Sequence, residues 1–285
     1  MLLDPNGGAA CAVLKDLFVK LGLNVIIINN TYGEFKRQIE PNEKSLAYLL
    51  PIMKTEKADF AAGFDCDADR LNIIMNNGEM LSGNHVLALC IDEILSTINH
   101  PEQQTIVVND ATSYSVKEIV DKYHAHYKEV EVGEINVVSE LYRIKAIAGG
   151  EGSSGGGIFP PSTSRDGILT LLIILKAMAR KQKTLSQLII NLPKYYNFQE
   201  KLECPPKQQR LMKNKLKDYF KKHSIIETGD ETGGLKVFFL NSWIWYRMSK
   251  TEPGIFRIVS DAKNKVEAKK LLEEGIAVFN SIVQI

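Results

Sequence analysis

The stretch GFDCDADRLN, Gly63 to Asn72, decides how the rest of this chain is read. Asp65, Asp67 and Asp69 stand at alternate positions, and Arg70 follows them. Two unit charges about 4 Å apart repel by on the order of 4 kcal/mol at a protein-surface dielectric, so such a cluster needs relief. It either splays into water as a solvated turn or surrounds a cation, and spacing alone leaves both open. The preceding ADFAAGF is small and apolar, as in a strand buried on both faces. The acidic cluster then sits at a strand's C-terminal end, where open α/β sheets place their ligands. Hard carboxylate oxygens there suit Mg²⁺, which takes a few protein oxygens and leaves room for a phosphate.

Upstream, MLLDPNGGAACAVLKDLFVKLGLNVIIIN reads as strand, tight turn, helix and buried strand, with Val13, Leu14, Leu17, Phe18 and Leu21 on one apolar stripe. PNEKSLAYLLPIMKTEKAD reads as a second helix that Pro51 kinks or interrupts. Strands alternating with helices at this spacing predict a parallel sheet. The PNGG glycines suit either a phosphate at a helix N-terminus or a turn with unusual dihedrals. No GxGxxG or Walker pattern completes them, which favours the turn. Met1 lies almost on the first strand, as it would in a natural start or in a piece of something longer.

Downstream, LNIIMNNGEMLSG reads as a hairpin with an Asn-Gly turn. TIVVND, SYSVKEIVDKY and the segment from His124 to Glu151 give a second strand-helix-strand pattern. His124 and His126 lack a third ligand nearby and read as a surface pair. GGEGSSGGGIFPPSTSRDG then brings six glycines (149, 150, 152 and 155–157) around Glu151, Ser153 and Ser154, a loop whose backbone can approach a ligand closely. A carboxylate among hydroxyls and bare amides is suited to sugar hydroxyls. A flexible linker would be polar on both sides, and here a strong helix follows from about Asp166.

From about Asn197 the character changes to a Pro-Pro break, a basic amphipathic helix with Leu211, Leu216 and Phe220 inward, three strands and a closing helix. Within it, RMSKTEP places Arg247, Ser249, Lys250 and Thr251 between two strands. A donor fork with hydroxyls and an ammonium matches a phosphate dianion, although a charged hairpin tip reads the same way in isolation.

Composition sets the outer limits. The chain has 285 residues, 45% hydrophobic and 24% charged, with a formal net charge of +1. This is a folded globular composition with no global field to recruit nucleic acid or membrane, so an anion site must be local. Four scattered cysteines without a CxxC pair favour reduced thiols in the cytoplasm, and Asp4 and Pro5 argue against a signal-peptide start. The apolar run Ile168 to Leu175 is too short to span a bilayer.

Three loops of these compositions in this order resemble the α-D-phosphohexomutase superfamily, which includes phosphomannomutases, phosphoglucomutases and phosphoglucosamine mutases. DCDADR is similar to the family's metal loop D-G-D-A-D-R, GGEGSSGGGIFP to its sugar-binding loop, and RMSKTEP to its phosphate-binding loop R-x-S-G/N-T-E-P. EVGEINV, Glu131 to Val137, resembles the short segment containing Gly133 that precedes the sugar loop. Cys66 stands where the family has glycine, so a positive φ there would be strained. The sugar loop has one extra small residue, and Lys250 replaces a small one.

The resemblance implies two consecutive three-layer α/β domains with mixed, mainly parallel sheets, residues 1–78 and 79–196, then a small α+β domain, residues 197–285. It implies Mg²⁺ on Asp65, Asp67 and Asp69 with Arg70 in support, sugar on Glu151 with Ser153 or Ser154, and phosphate on Arg247, Ser249, Lys250 and Thr251. The family's phosphoserine, in a T-A-S-H-N-P-like loop of a preceding domain, has no counterpart in these residues. The expectation is therefore the substrate- and metal-binding part of a phosphohexomutase, truncated or one subunit of a split enzyme, which binds hexose phosphate but turns over little alone. A non-catalytic sugar-phosphate binder is the alternative, and a self-sufficient transferase using Ser153 or Ser154 is a third.

Overall fold

The computed structural model describes residues 1–153 and 155–283. Its first unit has strands β1 (Leu2–Asp4), β2 (Ile26–Ile27), β3 (Phe60–Phe64), β4 (Leu71–Met75) and β5 (Met80–Leu81), ordered β2-β1-β3-β4-β5. β2, β1 and β3 run parallel, and β4 and β5 are antiparallel. Alternation decides the faces. Leu3, Phe60, Ala62, Phe64, Leu71 and Ile73 enter one core, whereas Leu2, Ala61 and Ile74 enter another beneath helices α2 (Glu43–Leu46) and α3 (Leu49–Thr55). Of the stripe on α1 (Leu14–Lys20), Leu14 and Phe18 are buried, but Val13 and Leu21 are exposed. The segment around β2, expected to be a buried strand, is half-buried because it forms the sheet edge.

Pro51 does not break its helix. The chain is interrupted earlier, at Ala47 and Tyr48, and Pro51 is the third residue of α3, where a missing N–H leaves no helical bond unmade.

The second unit runs α4 (Gly83–Leu95), β6 (Thr105–Asn109), α5 (Tyr114–Lys122), β7 (His126–Val130), α6 (Glu134–Ile144), β8 (Ala148–Glu151), β9 (Gly156–Ile158), α7 (Gly167–Lys181) and α8 (Leu185–Ile190). Its sheet is ordered β7-β6-β8-β9, the first three strands parallel and β9 antiparallel. Ile106 and Val108 face the core shared with the first unit, and Val107 faces α6. The two units are thus joined by one continuous apolar core rather than by a linker.

The third unit has β10 (Tyr196–Glu203), α9 (Pro206–Tyr219), β11 (Ser224–Glu227), β12 (Leu235–Phe238), β13 (Ser242–Met248), β14 (Ile255–Ala262) and α10 (Lys265–Val283), with an antiparallel sheet ordered β10-β14-β13-β12-β11. The buried apolar residues described on α9 and at its C-cap are Met212, Leu216 and Phe220, spaced four apart, and Leu211 is exposed. On β13, Ile244 and Tyr246 face the helices, whereas Trp243 and Trp245 face the second unit through Ala111, Tyr114 and Val132. The period of two therefore puts Arg247 on the tryptophan face. Trp245 Nε1 donates to Asp110 (2.9 Å), and Lys236 Nζ, 1% exposed, pairs with Glu129 (2.7 Å) beneath the Trp243 ring. No helix of the described residues is long and apolar enough to cross a membrane.

Lys236→Met leaves Glu129 half of a broken buried pair and is expected to destabilise the fold by about 3 kcal/mol or more in urea unfolding. Lys236→Met combined with Glu129→Leu should recover much of that loss. A double variant as unstable as the single one would contradict the pairing.

Candidate functional site

β3 ends at Phe64 and β4 starts at Leu71, and the turn between them carries the aspartates. Asp65 is buried and its Oδ1 accepts from the Arg70 backbone N–H (3.1 Å). Asp67 is exposed. Asp69 Oδ2 accepts from Arg165, while its Oδ1 is buried with no hydrogen-bond partner among the described residues. One oxygen from each carboxylate lies within 4.8 Å of the others. Burial, then the neighbouring Asp69 carboxyl, pushes the Asp65 carboxyl well above the usual carboxylate range. A buried carboxylate oxygen without a hydrogen bond, within reach of two further hard oxygen donors, fits a divalent cation such as Mg²⁺.

The strain expected at Cys66 falls elsewhere. The positive φ of the loop is at Ala68 (62°), whose carbonyl accepts from the Gly167 N–H (3.0 Å) at the start of α7. The PNGG turn presses on the same loop: the Ala9 N–H donates to the Cys66 carbonyl (2.7 Å), and a Cβ on Gly8 would lie 2.7 Å from that oxygen. Arg70 pairs with Glu40 and lies beside Asp65 (3.5 Å) and Asp69 (3.7 Å).

Glu151 ends β8, buried, and its Oε1 accepts from Asn109 Nδ2 and from the Gly133 N–H, both at 2.9 Å. Ser153 is exposed, and Ser154 lies outside the described residues. The glycines were expected to let backbone approach a ligand. They let it approach the acidic turn: the Leu71 N–H donates to the Gly155 carbonyl (2.8 Å), and a Cβ on Gly156 would collide with the carbonyl oxygen of Asp69.

Arg165, which the sequence reading passed over, joins the two loops. Its guanidinium bonds Asp69 Oδ2 and lies 3.2 Å from Glu134 and 3.7 Å from Glu151, and its backbone N–H donates to Glu134 (2.8 Å). Its one sequence signal is a lone cation directly before the N-cap Asp166 of α7. Glu131 was likewise missed as a site residue. It pairs with Arg247 (3.1 Å) and with Lys250 (2.7 Å). Ser249 is buried, its Oγ accepting from the Glu252 N–H (3.1 Å) and lying 3.4 Å from Thr251 Oγ1.

A line of polar contacts therefore runs from Asp69 through Arg165 and Glu151 to Gly133, and two residues earlier from Glu131 to Arg247 and Lys250. The acidic, glycine-rich and cationic loops are brought together along it. An apolar groove of about 800 Å³, walled by Leu17, Leu21, Leu172 and Leu175, contains none of these residues.

Two mixed α/β units and an antiparallel unit carry these loops in this order. Residues 1–78 match phosphoglucomutase/phosphomannomutase α/β/α domain II and residues 82–196 match domain III, and the chain belongs to this family. It is 33% identical over its whole length to a phosphoglucomutase/phosphomannomutase of Thermococcus kodakarensis, of which it covers 61%. It is 31% identical over 99% of its length to a phosphoglucosamine mutase of Methanococcus vannielii, of which it covers 63%. In fold it is similar to a phosphoglucomutase/phosphomannomutase family protein from Burkholderia thailandensis (TM-score 0.84, 20% identity, 99% of this chain and 60% of that one). Aspergillus fumigatus N-acetylphosphoglucosamine mutase, in complex with GlcNAc-6P and magnesium, is a more distant fold match (TM-score 0.65, 15% identity, 99% of this chain and 61% of that one). The chain spans about 60% of the length of these relatives.

Arg165→Met strips the counter-charge from Asp69, Glu134 and Glu151 and is expected to lower stability by about 3 kcal/mol or more in urea unfolding. Arg165→Lys should recover only part of it, because an ammonium lacks the planar fork. Full recovery by lysine, or a loss below about 1 kcal/mol, would show that the guanidinium does not bridge the loops.

Proposed function

We propose that this chain is the substrate- and Mg²⁺-binding part of a phosphohexomutase, which exchanges a phosphoryl group between the 1- and 6-positions of a hexose. The observation that carries the reading is the contact line from Asp69 through Arg165 and Glu151 to the Glu131–Arg247–Lys250 cluster. The three units then divide the work among metal, sugar and phosphate.

Asp65, Asp67 and Asp69 hold the metal, which when bound neutralises charge developing on the transferring phosphoryl. Glu151 accepts from sugar hydroxyls beside Ser153 and Ser154. Its Oε1 is already fixed by Asn109 and Gly133, which leaves less freedom to lose on binding. Arg247, Ser249, Lys250 and Thr251 grip the phosphate that is not reacting. Phosphoryl transfer depends mostly on such positioning and charge neutralisation around an in-line donor and acceptor. The donor phosphoserine belongs, in this reading, to a segment or subunit outside these residues. The magnesium and sugar-phosphate complexes of the Aspergillus relatives support the choice of ligands. The free thiols Cys11, Cys66, Cys90 and Cys204 go with a reducing, cytoplasmic compartment.

The test is conversion of hexose 1-phosphate to 6-phosphate with Mg²⁺ and a bisphosphate primer, by the chain alone and with a phosphoserine-bearing domain added. Little turnover alone, and Mg²⁺-dependent turnover on mixing that chelation abolishes, is expected. Binding of hexose phosphate without turnover in the mixture would instead identify a non-catalytic sugar-phosphate binder. Turnover by the chain alone would overturn the assignment of the donor.

A further inference from the structure

The carboxylate of Glu131 sits where the cationic loop would hold an anion. It bonds Arg247 Nη2 (3.1 Å) and Lys250 Nζ (2.7 Å), and its own side chain is 15% exposed. The turn between β11 and β12 closes over it: a Cβ on Gly229 would lie 2.5 Å from Glu131 Oε2. Arg247 is itself more than nine-tenths buried, and its Nε has no hydrogen-bond partner among the described residues. The guanidinium is thus held inside the molecule with donor capacity left over. Glu131 comes from the second unit, directly after β7, and Arg247 and Lys250 come from the third.

We infer that Glu131 is an internal competitor for the phosphate site: its carboxylate neutralises Arg247 and Lys250 until a ligand's phosphate displaces it. The inference rests on the phosphate-binding reading of this loop. A phosphate dianion and a carboxylate cannot share one guanidinium and one ammonium without strong mutual repulsion. A phosphate dianion brings more charge to Arg247 and Lys250 than a carboxylate does and offers a further acceptor oxygen to Ser249 and Thr251. Binding therefore exchanges one anion for another, and the exchange discriminates by charge. A dianionic phosphate ester can expel Glu131, whereas a neutral sugar or a monoanion gains too little. Glu131 acts as a positioning residue that sets affinity and charge selectivity, and it breaks a contact between the second and third units each time ligand enters.

Inorganic phosphate and a hexose 6-phosphate are titrated calorimetrically into the wild-type chain, Glu131→Gln and Arg247→Ala, each checked for folding by circular dichroism. Glu131→Gln is expected to bind both at least about tenfold more tightly, since the like charge is gone. Arg247→Ala is expected to lose both. Unchanged or weaker binding by folded Glu131→Gln would overturn the competitor role, because a merely structural residue can only weaken the site when altered. Equal phosphate binding by wild type and Arg247→Ala would overturn the phosphate reading of the loop as well. Should Glu131→Gln not fold, Glu131→Asp, whose carboxylate reaches one methylene less far, must show a smaller gain in the same direction. Tighter binding of a monoanion such as chloride alone would also refute the inference.

Discussion

A carboxylate taken out of water needs a counter-charge, and for Asp69, Glu129 and Glu131 that counter-charge comes from a different structural unit. Asp69 in the first unit is paired with Arg165 in the second. Glu129 and Glu131 in the second are paired with Lys236, Arg247 and Lys250 in the third. Removing one member of a partly buried pair strands the other, which makes the loops interdependent in a way that apolar packing alone would not. Apolar contact supplies the mass of the interface, through one core shared by the first two units and the Trp243–Trp245 face. The ion pairs set which loop lies against which.

The backbone reinforces that placement. Gly155, Gly156 and Gly167 let the glycine-rich segment lie directly on the acidic turn, and Gly8 presses on it from the other side. Strand alternation on β13 then carries Arg247 to the same face as the two tryptophans, toward Glu131. Membership of the phosphoglucomutase/phosphomannomutase family agrees with this arrangement over residues 1–78 and 82–196, and the fold agrees along almost the whole chain.

Much of this could be read from residues alone where the signal was local. The apolar run before Asp65, the Asn-Gly hairpin, the helix starting near Asp166 and the alternation of parallel strands with helices are each written within a few residues. What escaped depended on distant partners. β10 has a polar sequence, YNFQEKLE, and is a strand because β14 supplies its hydrogen bonds. Arg165 and Glu131 are single charges whose meaning comes from partners 96 and 116 residues away. The inward stripe of α9 was misjudged by one residue: Leu211 and Met212 are both apolar, and only the tertiary contacts of Met212 and Leu216 separate them. The left-handed residue of the acidic loop is Ala68 rather than Cys66, since the Gly167 contact, remote in sequence, sets the bend.

The central claim is that metal and phosphate loops serve one ligand. The most direct measurement is paramagnetic broadening of the ³¹P signal of a bound hexose 6-phosphate by Mn²⁺ in place of Mg²⁺. The account predicts distance-dependent broadening that disappears when either Asp67 or Arg247 is replaced by alanine. A ³¹P signal that Mn²⁺ leaves sharp while the phosphate is bound through Arg247, or that is broadened equally without Asp67, would contradict it.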